Sequence, residues 1–109
     1  MSYFAKVQNG VVLDVIRAEQ SFVDTLDGVW IEYFKDANGE PEKKYNPARV
    51  NNSTYDYTNK AFINIQPYPS WILNSKYQWE APVAKPENTE THFYIWNEEN
   101  KEWVMVERD

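Results

Sequence analysis

The sequence predicts a mainly β protein built of antiparallel hairpins, with one short helix near residues 21–27. Three observations carry that expectation. An Asn9-Gly10 pair sits between two runs rich in β-branched residues, aromatics make up 17% of the chain, and three stretches in the second half repeat one aromatic–turn–aromatic plan. The 109 residues fit one domain, since domains commonly run to about 100–150 residues. We read them as a single β-rich domain, 1–109, with an N-terminal hairpin–helix–strand unit at 1–40, a loop at 41–54 and an aromatic hairpin unit at 55–107.

The elements follow in chain order. Tyr3–Gln8 and Val11–Arg17 flank Asn9-Gly10. A type I′ turn needs positive φ at both central residues, which Asn and Gly tolerate, so this is a hairpin. Ser21–Gly28 reads as about two helical turns, with Ser21 as the cap, Asp24 complementing the dipole and Gly28 ending the helix. Val29–Phe34 returns to strand, and Trp30 and the other even positions are expected to face inward. Asp36–Gly39 is a turn, and Pro41, Pro47 and Asn51-Asn52 mark 41–54 as surface loop. Tyr57–Phe62, Leu73–Trp79 and Trp96–Trp103 each start on a large apolar residue, cross a polar segment holding Asn and Lys, and close on an aromatic. Such flanks meet across a hairpin. Pro67–Trp71 and Ala81–Pro86 read as stiff, extended connectors.

Composition excludes several function classes. No apolar run approaches the ~20 residues of a membrane span. The chain lacks cysteine, which removes disulfides and thiolate metal sites. Its opening has no basic patch, apolar stretch and cleavage site of a secretory signal, so a cytosolic protein is expected unless it leaves inside an assembled particle. Net charge is −6, with eight acids and three bases in 1–42, two and six in 43–85, and seven and two in 86–109. That balance disfavours nucleic acid as a partner, because such binding draws on phosphate neutralisation.

Catalysis finds little support. His92, the single histidine, enters a strand; no G-x-S-x-G motif occurs, and the three glycines cannot build a phosphate-cradling loop. Asp36-Ala-Asn-Gly lacks the remaining ligands of a calcium loop. Glu98-Glu99 reads as a solvated hairpin tip. Neither an enzyme nor a cofactor is expected. What remains is the basic, aromatic centre, where exposed rings beside cations could stack on sugars or contact a protein. Tyr68, Trp71, Tyr77 and Trp79 are its candidate binding residues, set against the competing reading that these rings are core.

Pro67–Asn74, Trp79–Pro86 and Tyr94–Trp103 together resemble a recurrent tail in small proteins of marine tailed bacteriophages, including those infecting cyanobacteria. Tyr3–Val12 and Phe22–Trp30 resemble the same group, and the Pro-Trp segment is more loosely similar to the C-terminal part of phage tail-fibre assembly proteins. The resemblance implies a virion- or tail-associated protein, in the host cytoplasm during assembly and then in the virion. The implied partner is a larger phage structural or tail-fibre protein. A tail-fibre chaperone and a glycan-binding module are the alternatives, and a homo-oligomer stays open. Where relatives hold a glycine-rich stretch, this chain has Asn46–Thr54.

Overall fold

The computed structural model describes residues 1–108. Its strands are β1 (Ser2–Gln8), β2 (Val11–Ala18), β3 (Val29–Tyr33), β4 (Ser53–Asp56), β5 (Ala61–Asn64), β6 (Ile72–Leu73), β7 (Trp79–Glu80), β8 (His92–Asn97) and β9 (Glu102–Glu107), with a helix α1 at Gln20–Val23. The protein is mainly β, and β1–β2, β1–β3, β2–β4, β4–β5 and β8–β9 pair antiparallel, as the sequence predicts. The chain forms two compact units: one takes 1–65 and 73–78, the other 66–72 and the chain from 79 onward. No described helix is long and apolar enough to cross a membrane.

The first unit holds a five-stranded sheet in the order β3-β1-β2-β4-β5. Asn9 (φ 53°) and Gly10 (φ 77°) close β1 onto β2 as the expected I′ turn. The register then steps from Val7↔Val12 to Lys6↔Asp14, which leaves Leu13 unmatched in a bulge and 41% exposed. Both sheet faces are apolar. Ala5, Val7 and Val12 pack with Tyr33, Ala48, Tyr55 and Phe62 in the main core, while Phe4, Ala18 and Val23 form a smaller cluster on which Ile16 and Trp30 pack. Full burial of a side chain such as Phe62 contributes about 1.5–3 kcal/mol.

Two local expectations need correcting. Pairing with β1 sets Ile31 opposite Ala5 and Trp30 opposite Lys6, so the odd positions Ile31 and Tyr33 serve the main core. Trp30 reaches the smaller cluster instead, half-buried, its Nε1–H donating to the Asp27 carbonyl at 2.9 Å. In α1 the capping residue is Glu19, with no side-chain cap, and the helix ends at Asp24. The Glu19 carbonyl accepts from Phe22 (3.0 Å) and Val23 (3.2 Å), so Ser21 lies inside the helix. One turn is enough to seat Val23, its only buried residue.

The loop after β3 is a structured anchor. A 3-10 turn at Pro41–Lys43 leads into Lys44 (φ 58°) and Tyr45 (φ 68°), consecutive left-handed residues that are costly without glycine. The buried Asn46 Nδ2 donates to the carbonyls of Phe62 (2.8 Å) and Tyr77 (2.7 Å), and the Tyr45 and Tyr77 rings lie 4.6 Å apart. Gly39 is buried, and a Cβ there would come within 3.0 Å of the Lys76 Cβ. Residues 76–77 therefore occupy the space that a side chain at 39 would need.

The three aromatic-turn stretches all form hairpins: β4–β5, β6–β7 and β8–β9. Asparagine and aspartate organise their turns. The Asp56 carboxylate accepts from the amides of Thr58 (3.0 Å) and Asn59 (3.1 Å), and Asn74 Oδ1 accepts from those of Lys76 (2.9 Å) and Gln78 (3.0 Å).

Candidate functional site

The second unit is organised by tryptophan. In the β8–β9 ladder Trp96 lies opposite Trp103 across the Glu98–Lys101 turn, with ring centroids 5.2 Å apart. Lys101 takes φ 52° and Asn97 Oδ1 accepts the Asn100 amide, so the polar turn holds the two rings together. Trp71 meets both edge-to-face, at 6.0 Å from Trp96 and 6.1 Å from Trp103, and Tyr68 lies 5.5 Å from Trp71. Such pairs contribute about 0.5–1.5 kcal/mol beyond their buried area.

Hydrogen bonds fix the Pro67–Trp71 segment that carries two of these rings. Gln66 Nε2 donates to the carbonyls of Pro69 (3.3 Å) and Trp71 (3.0 Å). Ser70 Oγ donates to Glu98 Oε1 at 2.7 Å, and Trp96 Nε1 donates to the same oxygen at 2.9 Å. The Ser70 bond first, then the Trp96 bond, hold the Glu98 carboxyl below the usual carboxylate range. Trp103 Nε1 donates to the Val83 carbonyl at 2.8 Å, and the Lys85 ammonium sits 5.7 Å from the Trp103 ring centre. Trp71 Nε1 is buried and has no hydrogen-bond partner among the described residues.

Despite this aromatic content, no described residue of the second unit is fully buried. Tyr68 is 37% exposed, Ile72 57%, Ile95 51% and Met105 53%. The β8–β9 ladder is apolar on both faces. Tyr94, Trp96, Trp103 and Met105 lie on one, and Phe93, Ile95, Val104 and Val106 on the other. An open apolar patch of this kind can bind by contact.

The four sequence-predicted binding residues do not form one cluster. Tyr68 and Trp71 belong together, whereas Tyr77 lies in the first unit against Tyr45, and Trp79 is a half-buried residue of β7. The cations of the basic centre are partly occupied: Lys43 bonds Asp36 (3.0 Å) and Glu40 (3.3 Å), and Lys44 lies 5.5 Å from the Phe34 ring. Trp96 and Trp103, hairpin flanks in the sequence and not among its predicted site residues, join the site, and their symmetric spacing about a turn is the signal that points to them. The Ser70–Glu98 bond joins residues 28 apart and leaves no local signal. His92 takes a strand position with Thr91 Oγ1 2.7 Å from its Nδ1. Among the described residues there is no group of three or more His, Cys, Asp or Glu able to hold a metal.

Fold and site together define a small β protein carrying an incompletely covered aromatic hairpin. Compared with family models, curated proteins and solved structures, the chain matches none.

Proposed function

We propose that the chain is a non-catalytic accessory protein of a tailed bacteriophage, a minor virion component that docks onto a larger head or tail protein. One observation carries the docking: Trp71, Trp96 and Trp103 assemble a fixed aromatic surface in a unit where no described side chain is fully buried. Rigid aromatics with a polar rim are what interface hot spots are made of. The phage setting rests on the resemblance of Pro67–Asn74, Trp79–Pro86 and Tyr94–Trp103. A tail-fibre chaperone would use the same surface transiently. A glycan module has weaker support, because neighbouring rings already occupy contact positions around Trp71.

Mass spectrometry of purified particles tests the proposal, with a fixed number of copies per particle as the expected result. Presence only in infected-cell lysate would replace the structural role by the chaperone. Tyr68→Ala with Met105→Ala should weaken partner capture without unfolding, because Tyr68 packs on Trp71, Met105 shares the face of Trp96 and Trp103, both are exposed, and each anchor lost costs about 2 kcal/mol. Saturable glycan binding that vanishes in this double variant, with no protein partner recovered, would overturn the docking role.

A further inference from the structure

Charge is divided between the two units as unevenly as burial. The first carries nine acids and eight bases; the second, up to residue 108, carries seven acids and three bases. The acidity of the protein therefore sits with the open β8–β9 surface. Two of the three bases there are committed. Arg108 Nε donates to the Thr89 carbonyl at 3.1 Å and its guanidinium lies 5.2 Å from the Phe93 ring centre, while Lys85 sits at the Trp103 ring. Lys101 remains, in the turn beside Glu98. Glu99, Glu102 and Glu107 are exposed and form no ion pair among the described residues. The register sets Glu102 opposite Asn97 at the turn end of the ladder and Glu107 opposite His92 at the other. At ~3.4 Å per residue these two acids stand about 17 Å apart along the strand. Met105 and Ile95 lie between them, both exposed. Unpaired carboxylates thus bracket an apolar centre.

We infer that the partner docking here is a protein face of the opposite make-up, an apolar centre flanked by lysine or arginine side chains. The inference rests on the docking role proposed above and names the chemistry of its partner. Solubility does not call for the imbalance, because the first unit meets water with nearly equal numbers of acids and bases. The carboxylates repel nucleic acid and anionic lipid headgroups, and they attract a basic protein surface. Exposed ion pairs add little affinity one by one. Together, charges of one sign steer an oppositely charged partner and speed its association, an effect that salt screens. The apolar centre then holds what the carboxylates draw in, so salt acts on association and the ring contacts act on dissociation.

Two synthetic peptides test this, sharing a Leu-Phe-Leu centre flanked by lysines in one and by glutamates in the other. Each is titrated into the full chain and followed by tryptophan fluorescence, since four of the five tryptophans belong to the second unit. The lysine peptide should bind saturably, more weakly as salt rises, and the glutamate peptide should not bind. Glu99→Gln, Glu102→Gln and Glu107→Gln together should weaken the lysine peptide about tenfold, mainly through its association rate. Asp27→Asn, Glu32→Gln and Glu42→Gln change the net charge equally in the first unit and should leave binding unaltered. Equal binding of both peptides, binding of neither, or equal loss in the two triple variants would overturn the inference. Loss with Tyr68→Ala and Met105→Ala but not with the glutamate variant keeps the docking role and overturns only the basic partner. Loss with the glutamate variant alone overturns the docking surface, and this inference with it.

Discussion

Asn46→Asp tests how the first unit is held, with almost no change in shape. Asn46 is 4% exposed, and both protons of its Nδ2 are used, on the Phe62 and Tyr77 carbonyls. Carbonyls only accept, so the orientation of the amide is settled by its partners. Asn46→Ala loses two bonds and strands two acceptors, a cost of about 2–4 kcal/mol. Aspartate adds a charge: ionised, it would press an acceptor against carbonyl oxygens at 2.8 and 2.7 Å. The carboxyl escapes by keeping its proton, and buried carboxyls rise by up to about 3–5 pKa units. At about 1.4 kcal/mol per unit the neutral-pH cost is on the order of 4 kcal/mol or more, against a total of roughly 5–15 kcal/mol for a small domain. A folded pKa raised above the unfolded one gives stability that is full below the unfolded value and lost as pH rises through the folded value. Urea unfolding of wild type, Asn46→Ala and Asn46→Asp in acidic and neutral buffer should therefore show an Asp deficit that widens with pH. An Asp variant as stable as wild type at neutral pH, or a deficit that ignores pH, would refute the reasoning.

Trp30→Ala should cost about 2 kcal/mol, below the 3–5 of a fully buried tryptophan because Trp30 is half-buried; a Tm unchanged by calorimetry would remove Trp30 from its cluster. Gly10→Ala should cost about 1–2 kcal/mol, because its Cβ meets nothing closer than 3.6 Å yet φ is +77°; equal stability by urea titration would contradict the I′ turn. Glu98 has a folded pKa below its ordinary value. Its contribution is therefore present above that ordinary value and lost as pH falls through the folded one. Near-UV circular dichroism of the tryptophans should show an acid loss that Glu98→Gln abolishes.

The hairpins were legible because local chemistry determines them. Asn9-Gly10 can hardly be anything but a tight turn, and polar Asn-containing segments between large aromatics place the later turns correctly. Facing was not legible at β3, because its parity is set by pairing with β1, a relation between segments rather than within one. The α1 boundaries failed for a related reason: Ser21 is a good cap in isolation, but seating Val23 on Phe4 and Ala18 decides where the turn begins. The 41–54 loop read as mere surface because Pro and Asn dominate it. Asn46 is buried there only because Phe62 and Tyr77, distant in sequence, present carbonyls to it. In the aromatic site the Trp96–Trp103 pair could be read from spacing, whereas the arrival of Trp71 and the Ser70–Glu98 bond could not.

The two units differ in what their aromatics achieve. Phe62 and Tyr55 close a core in the first, with 0% and 8% of their surfaces exposed. Trp71, Trp79, Trp96 and Trp103 lie in the second, where no described residue is fully buried. Trp30 alone among the tryptophans belongs to the first, so tryptophan signals report mainly on the second unit and tyrosine signals mainly on the first. A ligand that covers the β8–β9 surface binds only its folded form and stabilises it by about 2.7 kcal/mol at a hundredfold excess over Kd. If that surface is where partners dock and the two units unfold as separate transitions, a partner raises the tryptophan-monitored transition more than the tyrosine-monitored one. A partner that raises the tyrosine transition alone binds elsewhere, and the open tryptophan surface then has some other use.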